Sequence, residues 1–173
     1  MKILAFGASS SKNSINKKLA NYVASNVKNG EIEVLDLNDF EMPIYSQDKE
    51  TEGGIPELAT KFIKKISCAD LLVISFAEHN GAYSSAYKNI FDWSSRATKK
   101  VYENKKVILL STSPGPGGAK SVLSSAVTSM PFFGAQVVGS LSLPSFYENF
   151  DTATLKVTNA EFNQKLSEII QKL

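Results

Sequence analysis

The sequence predicts an α/β fold: a single domain over residues 1–173 in which a five-stranded parallel sheet carries helices on both faces. Three observations point there. Short apolar runs bounded by turn residues alternate with stretches of helical periodicity, which is the pattern of βαβ units. Five such runs are present, each short enough for a strand, and each is followed by a polar or glycine-rich turn. The chain has 173 residues, 43% of them hydrophobic, enough for one sizeable core and short of the length at which cores usually split.

The elements follow in order. Ile3 to Phe6 is wholly apolar, as a strand covered on both faces should be. A serine-rich turn follows, after which Ile15, Leu19, Tyr22, Val23 and Val27 recur at helical spacing. Ile32 to Leu37 is the second strand, and Glu33 and Asp36 place it at a sheet edge. Asn38 to Ile55 reads as one surface loop. Leu58, Phe62 and Ile66 mark the next helix, ahead of the third strand from Leu71 to Phe76. After the turn Glu78-His79-Asn80-Gly81, Tyr87, Ile90 and Phe91 mark another helix. There Tyr87, Phe91 and Trp93 read as core or interface residues, and Arg96 in the last turn complements the helix dipole. Val107 to Ser111 and Gln136 to Leu143 are the last two strands. Thr158 and Glu161 fit a capping box opening a final helix, with Phe162, Leu166, Ile169 and Leu173 inward.

Such a chain adopts the flavodoxin-like strand order 2-1-3-4-5, a three-layer sandwich in which the chain reverses direction between strands one and three. Ligands of open α/β sheets bind beyond the carboxyl ends of the strands at that reversal. The turns after strands one, three and four should therefore face a common ligand.

Bulk properties exclude several classes. The net charge is only +2, with lysine and arginine scattered along the chain, so no nucleic-acid footprint is expected. No apolar run approaches the length of a membrane span, so no membrane partner is expected. The chain opens directly on a strand pattern and holds one cysteine, Cys68, expected as a small buried residue. A soluble, reducing, cytoplasmic setting follows. One Cys and one His cannot make the usual zinc cluster, and no carboxylates fall at calcium-loop spacing.

The first turn offers the hydroxyls of Ser9, Ser11 and Ser14, the Asn16 side chain, and the backbone N–H groups where a helix starts at Ile15. Unpaired N–H groups and the positive end of a helix dipole favour an anion, and phosphate is the obvious one. A helix cap at Asn13 or Ser14 would use one hydroxyl, whereas this turn supplies several. The nicotinamide-binding Gly-x-Gly-x-x-Gly is missing here, although Asp36 ends strand two. Around Lys120 the sequence resembles a P-loop only faintly, because Pro114 and Ala119 stand at its glycine positions. A response-regulator receiver needs acidic residues after strand one, where this chain has serines. In the second turn, Glu78, His79, Asn80 and Gly81 carry more polarity than a short connection requires. They suit the edge of a ring with donors and acceptors, Gly81 allowing close backbone approach. A surface or locally hydrogen-bonded role for His79 is the plainer alternative. In the third turn, Ser113, Pro114, Gly115, Gly117 and Gly118 offer a stiff surface poor in side chains, against which a flat ring can lie.

These three segments resemble, almost end to end, the NADPH-dependent FMN reductases, relatives of quinone, chromate and azo reductases. That family carries Gly-Ser-x-Arg-x-x-Ser-x-Asn after its first strand, where this chain has Ala8, Ser9, Ser11, Ser14 and Asn16. Its Pro-Glu-Tyr-Asn-Gly is met by Ala77 to Gly81. Its Leu-Lys-Asn-x-x-Asp-Trp-x-Ser-Arg is met by Tyr87 to Arg96, and Ser113 to Gly118 matches its third motif. The resemblance implies that the first turn holds the FMN phosphate, the second the polar edge of the isoalloxazine, and that the third passes beside the ring. It also implies NADPH or NADH as co-substrate, ping-pong transfer to a small-molecule electron acceptor such as a quinone, azo compound, metal oxyanion or free flavin, and a homodimer or homotetramer. The cofactor carries this chemistry, so no catalytic side chain is required. Three positions depart from the family: Ser11 replaces arginine, removing a fixed charge, while His79 replaces tyrosine and Ala77 replaces proline. Two other readings share the fold. A flavodoxin-type electron carrier would usually be strongly acidic, against a sequence pI near 8.5, and a flavin-free binding module would have kept only the fold.

Overall fold

Three strands of the sheet, β1 (Lys2–Ala8), β3 (Leu71–Phe76) and β6 (Lys106–Thr112), are buried almost throughout, and their sequences are nearly unbroken apolar runs. The computed structural model describes residues 1–173. At one edge lies β2 (Glu31–Leu35), largely exposed, and at the other β7 (Gln136–Leu143). The order β2-β1-β3-β6-β7, parallel throughout, is the predicted one.

Period-two alternation splits the side chains between two layers. Leu4, Phe6, Leu72, Ile74, Val107 and Leu109 face a cluster of 27 buried residues under α3 (Glu57–Ser67), α4 (Ser85–Ala97) and α5 (Lys120–Ser129). Ile3, Ala5, Leu71, Val73, Ile108 and Leu110 face a second cluster of 19 under α1 (Ile15–Ser25) and α7 (Ala160–Ile170). The larger layer is rich in aromatic rings packed edge to face, such as Phe6 and Phe40 on Phe62 at 5.7 and 5.4 Å. No helix is long and apolar enough to cross a membrane.

Several expectations are corrected. Residues 38–55 are not one loop: they hold a 3-10 turn, Leu37–Phe40, and the helix α2 (Gln47–Gly53). Helix α2 buries nothing, so no apolar periodicity announces it; Ser46 caps it and Glu50 ties it to Arg96 at 2.9 Å. Arg96 therefore serves an ion pair rather than the helix dipole alone. Asn89 clasps the same segment, its amide donating to the carbonyls of Met42 and Pro43 and accepting from Tyr45 N–H, while Trp93 donates to Pro43 at 2.7 Å. The motif Tyr87 to Arg96 thus encodes a clasp. Tyr87 and Trp93 are buried, and Phe91 is half-buried. Cys68 is exposed, because it caps the carboxyl end of α3 instead of entering β3. The last helix is capped by Asn159, accepting from Phe162 N–H at 2.9 Å, and not by Thr158. Asn159 is the residue whose carbonyl oxygen reaches the third amide of that helix. Two short hairpins, β4 (Glu78–His79) with β5 (Ala82–Tyr83) and β8 (Phe150–Asp151) with β9 (Lys156–Val157), had no predicted counterpart.

Deep in the larger layer the hydroxyls of Tyr87 and Tyr102 hydrogen-bond each other, both residues nearly inaccessible to solvent. Burial pushes both phenols above their ordinary range, so both stay neutral. Replacing Tyr87 with phenylalanine strands the other hydroxyl and is expected to cost about 1–3 kcal/mol. The Tyr87→Phe/Tyr102→Phe double variant should cost less than the sum of the singles, since no buried hydroxyl is left alone. Urea unfolding of the cycle measures this, and strict additivity would show that the pair is not coupled.

Candidate functional site

The carboxyl ends of β1, β3 and β6 are tied together by buried side chains. Ser14 caps α1, its Oγ accepting from Lys17 N–H at 3.1 Å, so the capping use of this hydroxyl holds. Asn16, one residue into the same helix, is 3% exposed and spans the sheet. Its Oδ1 accepts from Ser75 Oγ at 2.7 Å and from Thr112 N–H at 3.1 Å, while its Nδ2 donates to the Thr112 carbonyl at 3.2 Å. The Asn16 side chain is therefore a bridge among β3, β6 and α1, with both acceptor sites of Oδ1 and one of its two Nδ2–H donors engaged inside the fold. Ser84, capping α4, donates to the Ala8 carbonyl at 2.8 Å and joins the second turn to the first.

What the first turn leaves free is mostly backbone. Ser11 N–H goes to Ser9 Oγ at 3.1 Å, and Ser14 N–H to the Ser11 carbonyl. The N–H groups of Lys12, Asn13, Ile15 and Asn16 have no acceptor within the chain. Those of Ile15 and Asn16 are the orphan donors of a helix start, where the dipole is positive. Lys12 is exposed and joins no ion pair. Lys17 does not add to this charge, because it pairs with Asp36 at 2.7 Å. That hydrogen bond, with the Asn38 amide behind it, holds the Asp36 carboxyl below the usual carboxylate range.

The second turn is a hairpin. Asn80 and Gly81, at φ 52° and 78°, form its two-residue tip, a turn that needs positive φ at both positions and favours Asn-Gly. Local backbone geometry accounts for these two residues without any ligand. Glu78 at the hairpin base accepts from Val122 N–H at 2.9 Å and so caps α5 from outside. This replaces the missing side-chain cap at Ala119, which sits in the left-handed region at φ 58°. His79 is exposed. In the third turn the Gly118 carbonyl accepts from Ser111 and Ser142, and a Cβ on Gly118 would lie 3.2 Å from Pro144. Gly118 is a packing glycine. Gly115 accepts from Ser145 N–H, while Gly117 is exposed with open space around it.

One cleft, of roughly 260 Å³, collects parts of all three turns. Ser9, Ser11, Ser14, Ile15 and Asn16 line it from the first, Glu78 and His79 from the second, and Ser113 and Pro114 from the third. Asn80, Gly81, Gly115, Gly117 and Gly118 do not line it. Asn13, Ala77, Thr112 and Tyr147 do, of which Thr112 and Tyr147 were not anticipated. Thr112 is silent in the sequence because it closes an apolar strand. Tyr147 had a signal: it follows the fifth strand, and ligands of such sheets gather at the carboxyl ends of strands generally.

The sequence model of the NADPH-dependent FMN reductase family matches residues 1–148. The chain belongs to that family. It is an FMN-dependent oxidoreductase with NAD(P)H as co-substrate. Among individual proteins, an NAD(P)H:quinone oxidoreductase of Solanum tuberosum is 30% identical over 125 residues, 70% of this chain and 63% of that protein. A quinone reductase of Escherichia coli K12 is 27% identical over 143 residues, 77% of this chain and 76% of the other. Among solved structures, the flavoenzyme NAD(P)H:(acceptor) oxidoreductase FerB of Paracoccus denitrificans superposes with a TM-score of 0.75. It is 21% identical, and the match covers 99% of this chain and 93% of that one. This FMN reductase family member thus shares its fold with flavoenzymes across most of both chains.

Proposed function

We propose that the cleft is the flavin seat, with the FMN phosphate in the first turn and the isoalloxazine between the second and third. The observation that carries this reading is the set of free N–H groups at Asn13, Ile15 and Asn16, on a cleft that parts of all three turns line, with the free Lys12 N–H next to them in the chain. Those donors fit a phosphate dianion, and Ser9, Ser11 and Lys12 add hydroxyls and one positive charge. Lys12 here takes the place of the family's arginine as a point charge without the bidentate fork. Of the residues named from sequence, Asn16 would act through its backbone N–H, while its side chain holds the turn in place. Ser14 acts as the cap that aims those amides, and Glu78 fixes the hairpin onto α5. Bound FMN supplies hydride acceptance and donation, which is why the site needs no nucleophile or paired acid and base.

The acceptors we assign are small molecules of the quinone or azo type, in keeping with the names of the quinone and azo reductases that resemble the chain. The same proposal includes a homodimer or homotetramer, for which the clasped segment offers Ile44, 76% exposed, as apolar contact surface. A cytoplasmic setting completes it, consistent with a lone cysteine that has no disulfide partner.

The test is reconstitution. Purified protein titrated with FMN should quench flavin fluorescence, and anaerobic NADPH or NADH should then bleach the flavin absorbance, restored by a quinone. Failure to retain FMN would refute the seat, and retention without bleaching would leave an electron carrier.

A further inference from the structure

We propose that Tyr147 is the residue by which the cleft selects flat aromatic electron acceptors. This rests on the cleft being the flavin seat, and it goes further by naming what the mouth of that seat prefers.

Seven large apolar side chains are exposed in the whole protein, and Tyr147, at 67%, is the only one of them that lines this cleft. Its hydroxyl has no partner in the chain and its pair with Phe146 is edge-on, with ring centroids 5.4 Å apart and planes at 87°. The position is built, not accidental. Tyr147 sits on the four-residue helix α6 (Phe146–Asn149), whose preceding residue Ser145 is held at φ 43°, a left-handed conformation unfavourable for serine. Three hydrogen bonds impose it. Ser145 N–H donates to the Gly115 carbonyl at 2.9 Å, Phe146 N–H to the Ser113 carbonyl at 3.0 Å, and Asn149 Nδ2 to the Pro144 carbonyl at 3.0 Å. Below the helix, Phe146 is fully buried and stacks on Phe150 at 4.6 Å.

Two of these hydrogen bonds tie α6 to the third turn, and α6 presents a tyrosine ring to the cleft. Because the backbone that carries the ring is already fixed, only the side-chain torsions of Tyr147 are left to order when a ligand packs on it. Its quadrupole favours a planar partner over a puckered one of equal size. Beside it in the same cleft, His79 can donate a hydrogen bond to a carbonyl or azo nitrogen at the edge of such a molecule, whereas the Ser113 hydroxyl already donates to the Gly115 carbonyl at 3.1 Å. The class selected is thus a planar one- or two-ring aromatic bearing an acceptor atom on its edge. Compact inorganic oxidants gain nothing from Tyr147.

The experiment compares 2-naphthol, planar and not reducible by the enzyme, with decahydro-2-naphthol, its puckered saturated counterpart. Calorimetric titration of each into FMN-loaded protein would be run on wild type, Tyr147→Phe and Tyr147→Ala, with FMN affinity measured separately on all three. Wild type and Tyr147→Phe should prefer the planar compound. Tyr147→Ala should weaken 2-naphthol by about 3- to 10-fold and the saturated compound by less than about 2-fold. Equal weakening of both compounds, or of neither, would overturn the assignment. So would a large loss of FMN affinity in Tyr147→Ala, which would make Tyr147 part of the flavin's own seat. Absence of FMN binding in wild type would instead bring down the reading of the cleft, and this assignment with it.

Discussion

Asn16→Ala is expected to destabilise the protein by about 2–5 kcal/mol and to abolish tight FMN binding, the larger of the effects foreseen here. The side chain removed is 3% exposed and satisfies Ser75 Oγ, Thr112 N–H and the Thr112 carbonyl at once. Each buried polar group left without a partner costs about 1–3 kcal/mol, against a total stability of about 5–15. The same residue fixes the start of α1 relative to β3 and β6, so its loss also misaims the free amides of the first turn. Asn16→Asp should be no rescue, because it buries a carboxylate and turns the donor facing the Thr112 carbonyl into an acceptor. Urea unfolding and FMN titration read the two effects. A variant with native stability and only weaker FMN binding would make the side chain a ligand, contrary to the bridge described above.

Gly7→Ala is the second. A Cβ on Gly7 would lie 2.9 Å from the Asn16 carbonyl carbon and from Lys17 Cα, and closer still to the Lys17 amide nitrogen. All of these are backbone atoms of the first turn of α1, which cannot rotate away as a side-chain tip would. Helix and strand must separate, at a cost of about 1–3 kcal/mol or somewhat more for overpacking. The displacement falls directly on the phosphate turn, so FMN affinity should fall at least about 10-fold even where the fold survives. Thermal unfolding with and without FMN tests it. Wild-type affinity in Gly7→Ala would show that the turn adjusts independently of β1.

The sheet was largely legible because its central strands are buried on both faces and therefore read as unbroken apolar runs. The amphipathic helices were legible for the same reason, at their own period. Helix α2 was not, since it buries no residue and is held only by Ser46, Glu50 and Arg96. The hairpin tip at Asn80-Gly81 carried a turn signal that competed with a reading of the same letters as ligand contacts. Glu78 and Asn16 show the limit more sharply. Their polarity is plain in the sequence, yet their partners, Val122 in one case and Ser75 and Thr112 in the other, lie 44, 59 and 96 positions away. Nothing local distinguishes a polar side chain that faces a ligand from one that holds two strands together.

By itself, then, the sequence determined the strand order, the two-layer core, the three turns that converge, and through its motifs the FMN reductase family. These depend on periodicity and on short contiguous patterns, which are local properties of a chain. Only the tertiary structure decided which polar groups of those turns remain free. Hydrogen-bonding capacity is finite, and the fold spends the side chains of Asn16, Ser14 and Glu78 on its own backbone and loops. What is left facing the cleft is the set of amides at Asn13, Ile15 and Asn16, together with the ring of Tyr147 delivered from beyond the fifth strand of the sheet.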